Sequence, residues 1–236
     1  MSNNRNGYHL PIYVVIFRWI FRPIFRMIFH LLSEVRITGT ANIPESGPYI
    51  IAINHISIIE PPFVIAFWPV APEAVGAKDI WERRGQSLLA KFYGGIQVHR
   101  GEFDRRLVET MFQVIEAEYP LLIAPEGGRS HTPGLRPALP GVAYIVDKSG
   151  APVLPVGIIG STDDFLHQAI RFKRPVLEMR IGKPTTMPAI EGKGEQRRLA
   201  LKNNADLIMY KVAELLPPPY QGVYADEQNH LSETSK

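Results

Sequence analysis

The chain of 236 residues is 45% hydrophobic and 21% charged, which lies in the range of globular proteins and suffices for a sizeable core. It contains no cysteine, which excludes disulfides, thiolate metal sites and cysteine nucleophiles. The net charge is +3, but residues 1–36 carry +4 and the remainder carries −1. This distribution favours contact of the N-terminal segment with an anionic membrane surface and argues against nucleic-acid binding by the folded domain.

The first predicted element is an amphipathic helix or helix pair over Leu10 to Leu32. Arg18, Arg22 and Arg26 recur every four residues, so on a helix they form one stripe opposite a face of Phe, Ile and Trp side chains. Three arginines in a membrane span would cost roughly 8 to 10 kcal/mol, and no cleavage site of a signal peptide follows. The pattern therefore predicts a helix lying in the membrane interface, with a kink or break at Pro23. The alternative is a helix packed on the domain with its arginines in water.

After this segment, short β-branched runs alternate with helical patterns, which is typical of a mostly parallel sheet flanked by helices, an α/β fold. The predicted strands are 34–38, 49–53, 74–77, 95–99, 121–124, 153–159 and 177–182. The predicted helices are 61–68, 86–93, 104–118, 141–149 and 194–215. The chain is thus divided into a membrane-association segment at 1–33, an α/β domain at 34–216 and a polar, flexible tail at 217–236.

A histidine and a glutamate interrupt the apolar stretch "INHISIIEPP" (Ile53 to Pro62). A separation of five residues lets His55 and Glu60 meet only if the chain turns between them. That turn is predicted, because an apolar strand ends near residue 54 and Pro61 suits the first position of a helix, whose N-terminus favours a carboxylate. A carboxylate bonded to one imidazole nitrogen leaves the other nitrogen free as a general base. A helix-capping Glu beside a structural His would give the same pattern.

Two later segments carry glycines next to arginine. In "YGGIQVHRG" a glycine-led strand ends at Arg100, and in "LLIAPEGGRSH" an apolar strand runs into Glu126, Gly127, Gly128 and Arg129. Glycines let the backbone approach a ligand closely, and exposed amides with an arginine are typical of a phosphate cradle. The structural alternatives are a surface arginine and an ordinary strand-to-loop turn.

The order and spacing of these segments resemble those of the glycerolipid acyltransferase family, which includes the 1-acylglycerol-3-phosphate and lysophospholipid acyltransferases. That family carries N-H-x-x-x-x-D, then a glycine-led segment ending in Arg, then E-G-T-R, then an apolar segment with P-V. In this chain the four segments are Asn54-His55 with Glu60, Gly94 to Arg100, Glu126-Gly127-Gly128-Arg129 and Val153-Leu154-Pro155-Val156. The resemblance covers roughly residues 35 to 215.

The resemblance implies transfer of an acyl group from an acyl thioester, either acyl-CoA or acyl-carrier protein, to the free hydroxyl of a lysophosphatidate-like glycerolipid in phospholipid biosynthesis. His55 would be the general base and Glu60 the residue that orients it. The implied substrate-binding residues are Asn54, Arg100, Glu126, Gly127, Gly128 and Arg129. The resemblance implies no metal and no cofactor besides the thioester co-substrate, and it suits peripheral or monotopic association with the cytoplasmic face of a membrane.

Three positions depart from the family's pattern. Glu60 stands in place of Asp and is one methylene longer, Gly128 stands in place of Thr, and "PALPG" at 137–141 lacks the Phe-Lys pair often seen before the family's glycine. These departures leave two alternatives open. One is an acyltransferase for another acceptor, such as glycerol 3-phosphate, a remodelled lysophospholipid or an amino- or glycolipid. The other is a weakly active membrane lipid-binding homologue.

Overall fold

A seven-stranded sheet forms the centre of the computed structural model, which describes residues 4–5, 7–83, 85–98, 104–162 and 164–225. The strands are β1 (Asn4–Arg5), β2 (Tyr8–His9), β3 (Glu34–Thr38), β4 (Ile50–Ile53), β5 (Glu73–Ala77), β6 (Ile96–Val98), β7 (Leu121–Ile123), β8 (Val153–Ile159) and β9 (Val176–Ile181). Strands β1 and β2 pair with each other, and the large sheet has the order β3-β9-β8-β4-β7-β5-β6.

Most neighbours in this sheet are parallel, and β8–β9 is the antiparallel pair. The four residues of β4 are all buried, as expected for a central strand covered by helices on both faces. The prediction of a mostly parallel α/β sheet is therefore confirmed.

Helices cover both faces of the sheet. They are α1 (Ile12–Leu32), α2 (Glu60–Phe67), α3 (Gln86–Tyr93), α4 (Arg105–Glu116), α5 (Gly141–Ser149), α6 (Asp164–Ile170), α7 (Gly194–Ala213) and α8 (Pro218–Gln221). One core cluster contains Phe21 of α1, Phe63 of α2 and Phe165 of α6. The cluster on the other face contains Val142 of α5 and Ile208 of α7. Helices α1 and α7 therefore lie on opposite sides of the sheet.

Helix α1 packs its arginine stripe against the domain, contrary to the prediction that these arginines face water or lipid head groups. The helix runs through Pro23 as one segment rather than as a pair. Arg18 is buried and donates to the fully buried Glu73. The guanidinium groups of Arg22 and Arg26 donate to the carbonyls of residues 65 and 66 in the last turn of α2. A helix leaves its last carbonyls without partners inside the helix, so these arginines satisfy the end of α2.

The opposite face of α1 is apolar and exposed. Trp19 is 78% exposed and Met27 is 64% exposed. The other large apolar side chains exposed along this helix are Ile12, Tyr13, Val15, Ile16, Ile20, Ile24, Ile28 and Leu31. Within the described ranges, no helix combines the length and the apolar character that crossing a bilayer requires.

The segment 217–225 is folded onto the domain, so the prediction of a flexible tail is wrong for these residues. Tyr224 is buried and donates from its hydroxyl to Asp206, at 2.7 Å. The hydroxyl oxygen of Tyr220 accepts the N–H of Gly160, at 3.0 Å. The hydrogen bonds of these two tyrosine side chains thus attach the segment 217–225, whose composition is otherwise typical of a loop, to the domain. Residues 226–236 lie outside the described part of the chain.

Candidate active site

The candidate site lies where three neighbouring strands end. β4 lies between β7 and β8 and is parallel to both, so the carboxyl ends of the three strands share one edge of the sheet. His55 follows β4, Glu126 follows β7 and Ser161 follows β8. Open α/β sheets bind ligands at this edge.

His55 and Glu60 form the hydrogen-bonded pair that the predicted turn between them allows. The chain turns after β4, α2 begins at Glu60, and the Nδ1 of His55 lies 3.0 Å from Oε2 of Glu60. The Glu60 side chain is fully buried, whereas the His55 side chain is 16% exposed. Because the carboxylate accepts at Nδ1, the neutral ring carries its proton there and presents Nε2 as a base.

The Glu60 carboxylate is held by donors from two parts of the chain. Its Oε1 accepts the backbone N–H of Ile56 at 3.2 Å and of Ser57 at 2.9 Å. The hydroxyl of Ser161, also fully buried, donates to the same oxygen at 2.5 Å. These donors compensate the burial of a negative charge and orient Oε2 towards His55. Ser161 was not among the predicted site residues; the available signal was a hydroxyl directly after a core strand.

Asn54 and Glu126 both bond to backbone groups of the site. The side-chain amide of Asn54 is buried and bonds both the N–H and the carbonyl of Ile158. The Glu126 side chain accepts the backbone N–H of His55 at one oxygen and that of Arg136 at the other, both at 2.9 Å. The sequence placed Asn54 and Glu126 among the substrate contacts, but the structure shows both engaged with backbone groups.

Burial raises the pKa of the Glu126 carboxyl, and the two backbone N–H donors, from Arg136 and His55, act in the opposite direction. The net upward direction shows that the buried site disfavours the charged form more than these bonds favour it. Through its two backbone bonds, Glu126 connects the His55 loop to the loop that follows β7.

The Gly127-Gly128-Arg129 segment lies directly beside His55. Gly127 has φ +66°, a left-handed backbone conformation that favours glycine at this turn. The N–H of Ser130 donates to the carbonyl of His55 at 2.8 Å, which places Arg129 next to the base. Arg129 is half-buried, and its guanidinium has no partner among the described residues.

A second arginine accompanies Arg129, although it was not among the predicted site residues. The Nη1 of Arg136 donates to the carbonyl of Arg129 at 3.0 Å, and the Arg136 side chain is exposed. Two guanidinium groups beside a glycine turn form a positively charged patch suited to an anionic ligand. Arg100, the other predicted anion-binding residue, lies outside the described residues.

Two comparisons relate this chain to known proteins. A family model described as Acyltransferase matches residues 34–159. Among solved structures, the 1-acyl-sn-glycerophosphate (LPA) acyltransferase PlsC from Thermotoga maritima superposes with a TM-score of 0.58. The two sequences are 20% identical over 81% of this chain and 78% of that chain, so the similarity shows a shared fold.

Proposed function

This chain belongs to the acyltransferase family, and from that premise we propose that it transfers an acyl group from acyl-CoA or acyl-carrier protein to the free hydroxyl of a lysophosphatidate-like glycerolipid. The observation that carries the proposal is the pairing of His55 with the buried carboxylate of Glu60, 3.0 Å apart at the carboxyl edge of the sheet. The positive patch beside it supports a phosphorylated acceptor, and the PlsC whose fold this chain shares acts on 1-acyl-sn-glycerophosphate.

In this mechanism His55 Nε2 takes the proton of the acceptor hydroxyl while the hydroxyl oxygen bonds to the thioester carbonyl carbon. Glu60 stabilises the imidazolium that forms and keeps the ring in its productive orientation. The tetrahedral intermediate then collapses with cleavage of the carbon–sulfur bond, and His55 returns its proton to the departing thiolate. The products are an ester and a free thiol, and both protein residues end in their starting states.

The acceptor's phosphate would lie against the patch that follows β7. Arg129 offers a guanidinium without a protein partner among the described residues, and the glycines at 127 and 128 let the phosphate approach the backbone. Arg136 supplies a second positive charge in place of the lysine that the sequence lacks at 137–141. We include Arg100 as a further acceptor contact on the strength of the sequence resemblance alone.

The experiment that tests the function is formation of diacyl product by the purified chain, with labelled acyl-CoA and acyl-carrier protein as donors and a panel of lysolipids as acceptors. We expect lysophosphatidate to be the best acceptor, because a phosphate monoester carries the charge that Arg129 and Arg136 would bind. An absence of product with every donor and acceptor would refute the enzyme.

Glu60→Gln is expected to lower kcat by about 10²-fold while the KM for the acceptor changes little, because an amide cannot hold the correct His55 tautomer. Glu60→Asp keeps the negative charge, but its shorter side chain moves the carboxylate away from the hydroxyl of Ser161. The kcat of this variant should therefore lie between those of wild type and Glu60→Gln. Glu45→Gln, at an exposed glutamate, is the matched control. A kcat for Glu60→Gln within threefold of wild type would show that the carboxylate does not support the base.

We also propose that the apolar face of α1 rests on the membrane in which the acceptor is dissolved. The double variant Trp19→Ser/Met27→Ser is expected to weaken vesicle binding by about tenfold or more. Each of these large apolar side chains adds to the free energy of membrane binding when it is buried among the lipids. Leu199→Ser, at an exposed leucine of α7 on the opposite side of the sheet, should bind as wild type does. Equal vesicle co-sedimentation of the α1 variant and wild type would contradict the proposal. Point variants are preferable to deleting residues 1–33, because deletion would also uncover the core beneath Phe21.

A further inference from the structure

A second exposed surface lies in the turn after α6, at residues 170–174, which we call the α6 turn. Its sequence, Ile-Arg-Phe-Lys-Arg, alternates apolar and basic side chains, and all five residues are exposed. Ile170 is 70% exposed and Phe172 is 68% exposed, so neither contributes its apolar area to the core.

The α6 turn adjoins the apolar face of α1. Arg174 donates from Nη2 to the carbonyl of His30 at 3.1 Å, at the last turn of α1, and so fixes the turn beside the C-terminus of that helix. Phe165 of α6 packs in the same core cluster as Phe29 of α1, so α6 and α1 cover the same side of the sheet. The exposed Leu31 of α1 lies one residue beyond His30, so the apolar face of α1 ends close to the α6 turn.

The backbone of this turn closes the C-terminal end of α6: the N–H of Phe172 donates to the carbonyl of Ala169 at 2.9 Å, and the N–H of Lys173 donates to the carbonyl of Gln168 at 3.1 Å. Phe172 has φ 55° and Arg174 has φ 47°, a left-handed conformation that is unfavourable for residues other than glycine. An exposed phenylalanine at such a position costs free energy in the isolated protein. The cap accounts for the backbone conformation of Phe172, whereas its side chain is 68% exposed and buries little apolar area in the domain.

The charges of the α6 turn are available to an outside partner, whereas those of α1 are not. Arg18, Arg22 and Arg26 are bound to groups of the domain, so they do not provide the attraction to anionic lipid that the sequence suggested. Arg171 and Lys173 form no ion pair with any residue in the described ranges and are exposed. Basic residues interleaved with exposed apolar ones are complementary to an interface of anionic head groups above acyl chains.

We propose that the α6 turn is a second membrane contact, at which Ile170 and Phe172 insert among the lipids and Arg171 and Lys173 bind anionic phosphate head groups. This inference rests on the proposed membrane-bound acyl transfer and deepens it. Lipid charge is then recognised at the α6 turn, while α1 contributes apolar contact. Two points of contact on one side of the sheet would also hold the protein in one orientation on the bilayer.

The first test is co-sedimentation of Arg171→Gln/Lys173→Gln with vesicles of phosphatidylcholine, with and without phosphatidylglycerol. Loss of both charges is expected to weaken binding to the anionic vesicles by about 30-fold and leave binding to pure phosphatidylcholine unchanged. Lys193→Gln/Arg198→Gln removes two exposed charges near or on α7, on the other side of the sheet, and should bind both vesicles as wild type does. Wild-type affinity of the Arg171/Lys173 variant for anionic vesicles would overturn the proposal.

The second test uses the absence of cysteine from the chain. An environment-sensitive fluorophore on Phe172→Cys is expected to shift its emission to the blue when anionic vesicles are added, and the same label on Leu199→Cys should not shift. Identical responses of the two labels would refute insertion of the α6 turn. Both tests measure binding without turnover, so an inactive enzyme would contradict the proposed acyl transfer and leave this inference to be decided separately.

Discussion

His55→Ala is expected to lower kcat for acyl transfer by about 10²- to 10⁴-fold, the usual contribution of a positioned general base. Without the imidazole, the acceptor hydroxyl must attack the thioester while still protonated. The carboxylate of Glu60 is fully buried, so it cannot replace His55 as the base. The KM for the lysolipid should change little, because the acceptor is held by the patch around Arg129 in the proposed complex. Initial rates with labelled acyl-CoA measure the effect.

The matched control is His167→Ala, which removes an exposed histidine of α6 outside the site. His55→Ala is expected to fold normally, because His55 is held by backbone bonds to Glu126 and Ser130 that alanine also forms. Thermal unfolding of both variants checks this point. If His55→Ala retained more than a tenth of the wild-type kcat, His55 would not be the base.

Glu73→Gln is expected to destabilise the fold by about 3 to 5 kcal/mol, because it leaves the buried guanidinium of Arg18 without its counter-charge. Arg18 makes a bidentate contact with Glu73, at 2.5 and 2.7 Å, and Glu73 also accepts from the hydroxyl of Tyr8 at 3.0 Å. Burial lowers the pKa of Arg18, but the hydrogen bonds and charge of Glu73 together raise it above its ordinary value. The contact between Arg18 and Glu73 joins α1 to β5 within the core.

Equilibrium unfolding in urea measures this loss, with Glu34→Gln as the control. Glu34 pairs with Arg36 on the surface, where both side chains are more than half exposed, so its removal should change the free energy of unfolding by less than about 1 kcal/mol. Replacing both partners, as Arg18→Met/Glu73→Leu, should recover most of the stability, since no charge is left buried. If the free energy of unfolding of Glu73→Gln lay within about 1 kcal/mol of the wild-type value, the guanidinium of Arg18 would be accessible to water and not buried without a counter-charge.

Several elements were predicted accurately because local signals define them. The strands 34–38 and 153–159 and the helices 86–93 and 141–149 have the predicted bounds. In each of these elements the apolar residues recur at a single spacing, that of a strand or that of a helix. The two helices also end before Gly94 and Gly150, whose left-handed backbones are typical of helix ends. Helix α6 was not predicted, since it is only seven residues long and a periodic pattern over so few residues is a weak signal.

The candidate site was partly predictable for the same reason. His55 and Glu60 are close in sequence, and the turn between them is signalled by Pro61, so their pairing follows from local chemistry. Ser161 reaches Glu60 across 101 residues of sequence, through the adjacency of β8 and β4. No local pattern specifies which strands become neighbours, so this contact and the two-sided bonding of Glu126 depended on the tertiary structure.

The amphipathic helix predicted over residues 10–32, with its arginine stripe, could be read from the sequence, because a four-residue period is a property of the segment alone. Which face of this helix turns inward depends on the groups of the domain that it packs against. Arginines on a surface helix normally form their hydrogen bonds with water. Here Glu73 and the last carbonyls of α2 accept charge-assisted hydrogen bonds from them inside the domain. The apolar face is therefore left outside, and the surface predicted to approach a membrane through its charges presents Trp19 and Met27 instead.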